Sequence, residues 1–311
     1  MRFIPAHRYL LVLAAAVVAG CGGTPAQPSE TRPNRDSAPV TTNHPDGLAA
    51  EALRVLHVER DPQRSLDLIA RAARAAPQRA DLIWLHSRLC VEVKECQREP
   101  IEAQLRQLAP RNAAAWVGAL QRAQVARDAA AEAQVLDAIA QSDRFDVYWN
   151  ELSWRLATAA AQSAAASSQR MADPLTRALD ETAVRLTAVV VPVLQLVSVS
   201  CNAERTKEPA MAARCARVAQ VLQRGDSFLV EGVGLGLSKR LAAPASNEAF
   251  VVEERIAAIR YRNEAAMAIR ANHPEPAKFS AELVELLKQL RREQDVADAV
   301  LRWAGQPLQP P

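Results

Sequence analysis

The sequence predicts an all-α protein, built either from antiparallel helix pairs in a solenoid or as a helical bundle. Its composition favours helix, because alanine and leucine are abundant while aromatic residues make up 4% and only 10 residues are glycine. Apolar residues recur with helical spacing, as at Leu66, Ile69, Ala70 and Ala73. An acidic residue followed by proline is typical of a helix start, and it occurs at 61–62, 99–100, 173–174 and 208–209.

The first 20 residues have the pattern of an export signal. Arg2 and Arg8 form a basic region, and the apolar segment 10–19 is too short to span a bilayer, which takes about 20 helical residues. The segment ends in Val18-Ala19-Gly20-Cys21, which resembles the lipobox of bacterial lipoproteins. The resemblance implies that residues 1–20 are a lipoprotein signal peptide that is cleaved before Cys21. The Cys21 thiol would then carry a diacylglyceryl group, and its new amino group would be acylated, for example with palmitate.

Residues 21–46 have the composition of a tether. They contain five prolines among serine, threonine, asparagine and glycine, with few apolar side chains. Such a segment cannot form a core, so we expect a disordered linker with a span of roughly 25–30 Å. Gly22, directly after the lipidated cysteine, is not acidic. In the lipoprotein family this implies an outer-membrane protein that faces the periplasm.

The charge balance gives no sign of a nucleic-acid partner. Signal cleavage removes two of the 38 basic residues and none of the 35 acidic ones. The mature chain is therefore close to neutral, and it has no basic block. We expect contact with the membrane through the N-terminal lipid and no binding to nucleic acid.

Four further cysteines, Cys90, Cys96, Cys201 and Cys215, form an even set, which predicts disulfides in an exported chain. Of three connectivities we favour the nearest-neighbour one, 90 with 96 and 201 with 215. The first bond requires a helix break, because six helical residues rise about 9 Å and a disulfide joins Cα atoms roughly 4.4–6.8 Å apart. The alternative is a metal site that combines His86 with Cys90 and Cys96, for which no fourth ligand is evident.

Residues 47–168 contain a spacing that resembles a repeat. Trp84, Trp116 and Trp149 follow one another at intervals of 32 and 33 residues, and Pro77 and Pro110 precede the first two. This pattern resembles the tetratricopeptide repeat, a helix pair of 34 residues. The resemblance implies a solenoid that binds a protein or peptide on its inner surface. The three tryptophans would either line this binding groove or pack in the core, and the sequence leaves both alternatives open.

Residues 169–304 form a second helical region without a repeat, followed by a tail at 305–311. The most apolar run, TAVVVPVLQLVSVS at 187–200, contains Pro192. It is too short to cross a membrane, so we expect a fully buried, kinked helix, with a β-strand as the alternative. The glycines of GVGLG at 232–236 lack the spacing of a phosphate-binding loop, and we expect them to permit close helix packing.

No catalytic motif is present in the sequence. It contains neither G-x-S-x-G nor H-E-x-x-H, so we expect a protein that is not an enzyme and uses no cofactor or metal. The pattern is most typical of a membrane-anchored periplasmic lipoprotein that acts as a scaffold for another envelope protein. The alternatives are a small-molecule or metal-binding lipoprotein and an envelope glycan hydrolase with Glu151 as its acid.

Overall fold

The computed structural model describes residues 44–166 and 173–310, and all regular structure in these residues is helical. Thirteen α-helices follow one another in this part of the chain, which contains no β-strand. The prediction of an all-α protein is therefore confirmed. The helices are α1 (Pro45–Arg54), α2 (Pro62–Ala75), α3 (Ala80–Leu89), α4 (Arg98–Leu108), α5 (Val117–Ala126), α6 (Ala129–Ala140), α7 (Trp149–Ala166), α8 (Pro174–Ser200), α9 (Pro209–Leu222), α10 (Phe228–Leu241), α11 (Asn247–Ala271), α12 (Pro276–Gln289) and α13 (Glu293–Trp303).

The pairs of an acidic residue and proline mark helix starts, as the sequence predicts. Helices α2, α8 and α9 each begin at the proline of such a pair. The carboxylates of Asp61 and Asp173 accept hydrogen bonds from the backbone N–H groups three residues later. These bonds satisfy donors that the first helical turn leaves unpaired. The remaining helix, α4, begins at Arg98, so that Pro100 lies inside its first turn.

Consecutive helices pack against each other, most extensively α1 with α2, α7 with α8 and α9 with α10. The main hydrophobic core extends from Leu48 in α1 to Leu237 in α10. A second apolar cluster joins α7, α8, α12 and α13 around Phe279. The predicted boundary between residues 47–168 and 169–304 falls outside the described residues, and the main core contains side chains from both sides of it.

Two short helical turns of other types extend α1 and α3. Helix α1 continues into a π turn, Val55–Glu59, which ends at Arg60 in the left-handed conformation (φ 57°). Helix α3 continues into a 3-10 turn, Cys90–Glu92, after which Val93 is extended. The helix break that a Cys90–Cys96 bond requires is therefore present. Both turns border the same cleft, and π turns are frequent at functional sites.

Helix α8 contradicts the prediction of a fully buried segment, and the strand alternative is wrong as well. It is one α-helix of 27 residues that contains Pro192. Its exposed residues beyond the first two turns are Val184, Ala188, Pro192, Gln195 and Val199. Successive members of this set are three or four positions apart, so all five lie on one side of the helix. The apolar run is therefore only partly covered by the fold, and we call these five residues the α8 stripe.

Helix α8 is also the one helix in the described residues that is long and apolar enough to cross a membrane, judged by length and composition alone. The mean hydropathy of its most apolar window is 1.8, and 39% of that window is buried inside the fold. The 14-residue apolar run was expected to be too short for a span, whereas the helix that contains it is 27 residues long. Core helices of soluble proteins meet the same criterion, so it carries no conclusion about a membrane.

Candidate functional site

The predicted lipidation site, Cys21, lies outside the described residues, as do the signal segment and most of the tether. The first described helix begins at Pro45, within the last two residues of the predicted tether. The last helix ends at Trp303, close to the predicted tail at 305–311.

Both disulfides join nearest neighbours. The Cα atoms are 5.5 Å apart in Cys90–Cys96 and 5.7 Å apart in Cys201–Cys215, within the range that a disulfide spans. Because Cys90 and Cys96 are bonded to each other, neither offers a thiolate to the metal site that His86 would complete. Within residues 44–166 and 173–310, no group of three or more His, Cys, Asp or Glu side chains is placed to hold a metal ion.

The three tryptophans do not share one environment. Trp84 is fully buried and packs near Tyr148, with ring centroids 6.4 Å apart. Trp149, at the start of α7, is 7% exposed. Trp116 is half-buried beneath the guanidinium of Arg106, which lies 5.1 Å from its ring centroid. A side chain with no exposed surface cannot contact a ligand, so Trp84 belongs to the core and only Trp116 offers a partly open face.

Glu151, the acid of the hydrolase alternative, lies on the surface of α7. Its carboxylate forms an (i, i+4) ion pair with Arg155 at 3.0 Å. The same guanidinium stacks on Trp154, 4.4 Å from the ring centroid. These contacts account for Glu151 as a surface residue that stabilises its own helix.

A cleft with a volume of about 500 Å³ runs along α8, and we call it the α8 cleft. One wall is α8 from Ala188 to Val199, and the other comes from the π turn, the end of α3 and the 3-10 turn. Its size and its mostly apolar lining are typical of cavities that hold small ligands. The apolar lining consists of Leu56, Leu89, Val91, Ala188, Val189, Pro192, Val193, Leu196 and Val199.

The guanidinium of Arg88 is the most deeply buried charge in the lining of the α8 cleft. Its side chain is 6% exposed, and its one hydrogen bond runs from Nε to the hydroxyl of Ser87. The nearest carboxylate oxygen, Oε1 of Glu102, is 4.0 Å from Nη2, which is too long for a hydrogen bond. Burial lowers the pKa of Arg88 to about 10, so the group keeps its charge at neutral pH. Its terminal nitrogens have no acceptor among the described residues.

Glu102 cannot fully compensate Arg88, because it is bound more closely to another arginine. Its Oε2 atom lies 2.7 Å from Nη1 of Arg122. The carboxylate is held in a space that Gly118 leaves free, where a Cβ atom would overlap with it. Arg98 adds a third positive charge that acts on Arg88. The region next to the cleft therefore contains more guanidinium groups than Glu102 can pair.

His57 brings a neutral imidazole to the same cleft. It lies in the π turn, and its Nε2 atom is buried without a hydrogen-bond partner among the described residues. Burial, together with the positive charge of Arg185, lowers the pKa of His57. A neutral ring with a free nitrogen can donate or accept one hydrogen bond, according to its tautomer.

Two other buried carboxylates serve the fold. Asp226 accepts hydrogen bonds from the backbone N–H groups of Val147 (2.9 Å) and Trp149 (2.8 Å), where α7 begins. Burial and the nearby charge of Asp146 raise the pKa of Asp226 to about 7. Glu293 accepts a hydrogen bond from the N–H group of Phe228 at 2.8 Å, and burial raises its pKa to about 7. Both carboxylates cap helix starts and are explained without a substrate.

No protein-family model, curated protein sequence or solved structure gives a significant match to this chain. The features that bear on function are therefore the geometry of the α8 cleft and the α8 stripe, and the pattern at the N-terminus. Sequence reasoning missed the cleft because its walls come from distant segments, residues 56–57, 88–92 and 188–199. The one signal that pointed to it was the apolar run at 187–200.

Proposed function

We propose that this protein is a lipid-anchored protein of the bacterial envelope whose helical body is a scaffold for another envelope protein. The observation that carries the proposal is the α8 stripe, which leaves Val184 and Val199 more than half exposed. The stripe extends over 16 residues, from Val184 to Val199, and is therefore about 22 Å long, enough for a helix or an extended segment to lie against it. Exposed apolar surface of this extent is typical of a docking surface.

The finer architecture that we propose is a tetratricopeptide-like array in the first half of the body. It is supported by the interval between the tryptophans and by the packing of α1 with α2, α2 with α3, α3 with α4 and α5 with α6. In this proposal the partner contacts the body through α8. The buried tryptophans hold the helix pairs together.

The membrane anchor can be tested separately from binding. We expect the wild-type protein to fractionate with the outer membrane and its N-terminal peptide to begin at an acylated Cys21. Cys21→Ala should remove the lipid and leave the protein outside the membrane fraction. A contact with one partner protein attaches it to the membrane less stably than several acyl chains do. The measurement is mass spectrometry of the N-terminal peptide. An unmodified peptide that begins at another residue would refute the anchor.

The docking surface can be tested by site-specific crosslinking in intact cells. A photo-crosslinking amino acid at Val184 or Pro192 should give a discrete adduct with one envelope protein, which mass spectrometry identifies. Val125 in α5 is a matched control, because it is also apolar and is 79% exposed. The identified partner is then purified, and its affinity is measured for the wild type, Val184→Glu and Val125→Glu. The scaffold proposal requires that only Val184→Glu weakens binding, and equal affinities would contradict it.

A second candidate function is the binding of a small apolar molecule. The specific observation that favours it is the α8 cleft, which has a volume of about 500 Å³ and the buried Arg88 in its lining. A partner protein on the α8 stripe and a small molecule in the cleft would share one wall. The two functions are therefore tested with different probes.

A further inference from the structure

We infer that the α8 cleft binds a single-chain amphiphile with a carboxylate head group, in which Arg88 pairs with the carboxylate and α8 contacts the chain. The inference rests on the second candidate function and adds the chemical class of its ligand. It combines a buried cation that lacks an acceptor with an apolar channel of sufficient length.

The head group follows from the contacts of Arg88. A buried guanidinium is stable when a planar anion accepts two of its N–H groups, as a carboxylate does. Here the closest carboxylate is 4.0 Å away, and it belongs to Glu102, which pairs with Arg122. Arg88 lines the cleft, and its terminal nitrogens have no hydrogen-bond acceptor among the described residues.

The carboxylates next to the cleft leave Arg88 without a close anionic partner. Glu102 is buried but pairs with Arg122, and Glu92 and Glu99 are exposed. A carboxylate head group carries one negative charge, as one guanidinium requires, whereas a phosphate monoester carries close to two.

The shape and lining of the cleft match an unbranched chain. Its α8 wall extends from Ala188 to Val199, which is about 16 Å along the helix axis. Val189, Val193 and Leu196 present apolar surface along this length. His57 is neutral, so its buried Nε2 atom, in the tautomer that carries the hydrogen there, can donate a hydrogen bond to the carboxylate without adding charge.

The test compares three probes that share a chain and differ in head group. Dodecanoate, 1-dodecanol and dodecyltrimethylammonium are titrated below their aggregation limits into the purified protein with both disulfides intact, and heat of binding is recorded. We expect dodecanoate to bind with one molecule per chain and about 10- to 100-fold more tightly than dodecanol, which is the range for hydrogen bonds to a charged group. The cationic probe should bind more weakly than dodecanol, because Arg88 repels it.

Two variants connect this preference to the cleft. Arg88→Gln should lower the affinity for dodecanoate far more than the affinity for dodecanol, so that the advantage of dodecanoate is lost. Ala188→Trp fills the cleft from an exposed position of α8, and it should abolish binding of both probes. The matched control is Val125→Trp, at an exposed apolar position on α5 that is not part of the cleft lining. Circular dichroism establishes that each variant is folded. If Arg88→Gln does not fold, the wild-type comparison and Ala188→Trp decide the outcome.

The results separate the inference from the function on which it rests. Equal affinities for dodecanoate and dodecanol, both abolished by Ala188→Trp, would overturn the carboxylate inference and leave the second candidate function standing. Binding of neither probe, or binding that Ala188→Trp does not affect, would overturn both. One further result counts against the inference. In it, dodecanoate does not bind, and a partner protein stays bound to the α8 stripe in its presence.

Discussion

Asp226 connects three segments that are far apart in the sequence. Its carboxylate accepts two backbone hydrogen bonds at the start of α7, from Val147 and Trp149. Its backbone carbonyl accepts a third from the N–H group of Glu293, the first residue of α13, at 2.8 Å. Because the carboxylate is buried near Asp146, the structure raises its pKa to about 7. One residue therefore links the starts of α7 and α13 to the turn before α10, and its protonation affects stability.

The pH dependence of stability should change when Asp226 is replaced by asparagine. The pKa is about 7 in the folded protein and 3.8 for an unperturbed group, so between these values the folded state holds a proton that the unfolded state has lost. The contribution of this proton to the free energy of unfolding is complete below pH 3.8 and is lost as the pH rises through about 7. We expect the melting temperature of the wild type, relative to Asp226→Asn, to fall from about pH 5 to about pH 8 in thermal unfolding followed by circular dichroism.

The melting temperature of the wild type is compared with that of Asp226→Asn, so the contribution of the histidines to the pH dependence cancels. Burial lowers the pKa of His57 and His86, so these residues make stability rise with pH in the mildly acidic range. Both are unchanged in Asp226→Asn. Asp67→Asn, at an exposed position of α2, is the control and should give a curve parallel to that of the wild type. If the Asp226→Asn curve is parallel as well, the assigned titration is wrong.

The sequence next to Asp226 indicates only a local role, because Asp226 or Ser227 is suited to cap a helix start. The residues around it, Gly225 and Ser227, indicate a helix end and a helix start, and Ser227 does cap α10 through the N–H group of Val230. The bonds of Asp226 to residues 147 and 149 depend on how α7 packs. No local pattern predicts them, because the partners are 77 and 79 positions away.

Helix α10 contains three glycines, and two of them, Gly234 and Gly236, differ sharply in their surroundings. A Cβ atom at Gly234 would lie 2.8 Å from the backbone nitrogen of Gln223 and 2.9 Å from the carbonyl oxygen of Ala219. Nothing lies within 4 Å of a Cβ atom at Gly236. The expectation that the glycines permit close packing is therefore met at Gly234, where α10 touches the backbone of α9 and of the residue that follows it, and not at Gly236.

Alanine substitutions at these two glycines should have opposite effects. Gly236→Ala should raise the free energy of unfolding by up to about 1 kcal/mol, because alanine favours the helix. Gly234→Ala should lower it by about 1–3 kcal/mol, because the added methyl group meets backbone that cannot move away cheaply. Urea denaturation of the two variants measures both values. A shift of the same sign in both would show that the close approach at Gly234 has no energetic effect.

Helix α8 shows what an apolar run can and cannot predict. The run at 187–200 correctly indicates a segment with few charges, and the Asp173–Pro174 pair correctly indicates where its helix begins. It does not show which side the neighbouring helices cover, because almost every side of this helix is apolar. The exposed stripe depends on which helices cover the other sides of α8, and besides α7 these include α1, α5, α10 and α12, which are not its neighbours in the sequence.

The two disulfides act on the stability of the whole molecule. Cys201–Cys215 closes a loop with a sequence separation of 14 residues, and Cys90–Cys96 closes one of 6. Replacing both Cys201 and Cys215 by serine should lower the free energy of unfolding by roughly 3 kcal/mol, because the unfolded chain regains the freedom of the longer loop. The double serine variant of Cys90 and Cys96 should lose less. Urea denaturation tests the order, and a larger loss for the shorter loop would contradict this explanation.

At the scale of the molecule, local features were predictable and the site was not. The fold class, three of four helix starts and both cysteine pairings follow from spacing and composition. Arg88, within HSRLCVE, has no feature that distinguishes it in the sequence from the other arginines. Its importance comes from burial next to α8 and from competition for Glu102, which Gly118 and Arg122 arrange. Such a site exists only after helices from both halves have packed.

The positions of the disulfides link the α8 cleft to the redox state of the surroundings. Cys90 begins the 3-10 turn that places Val91 and Glu92 in one wall, and Cys201 directly follows the last residue of α8, the other wall. Reduction would release the covalent restraint at both places at once. In a reducing environment neither wall would have its disulfide, whereas oxidation restrains both walls. We therefore expect the α8 cleft to bind the proposed ligand more tightly with both disulfides formed than after their reduction.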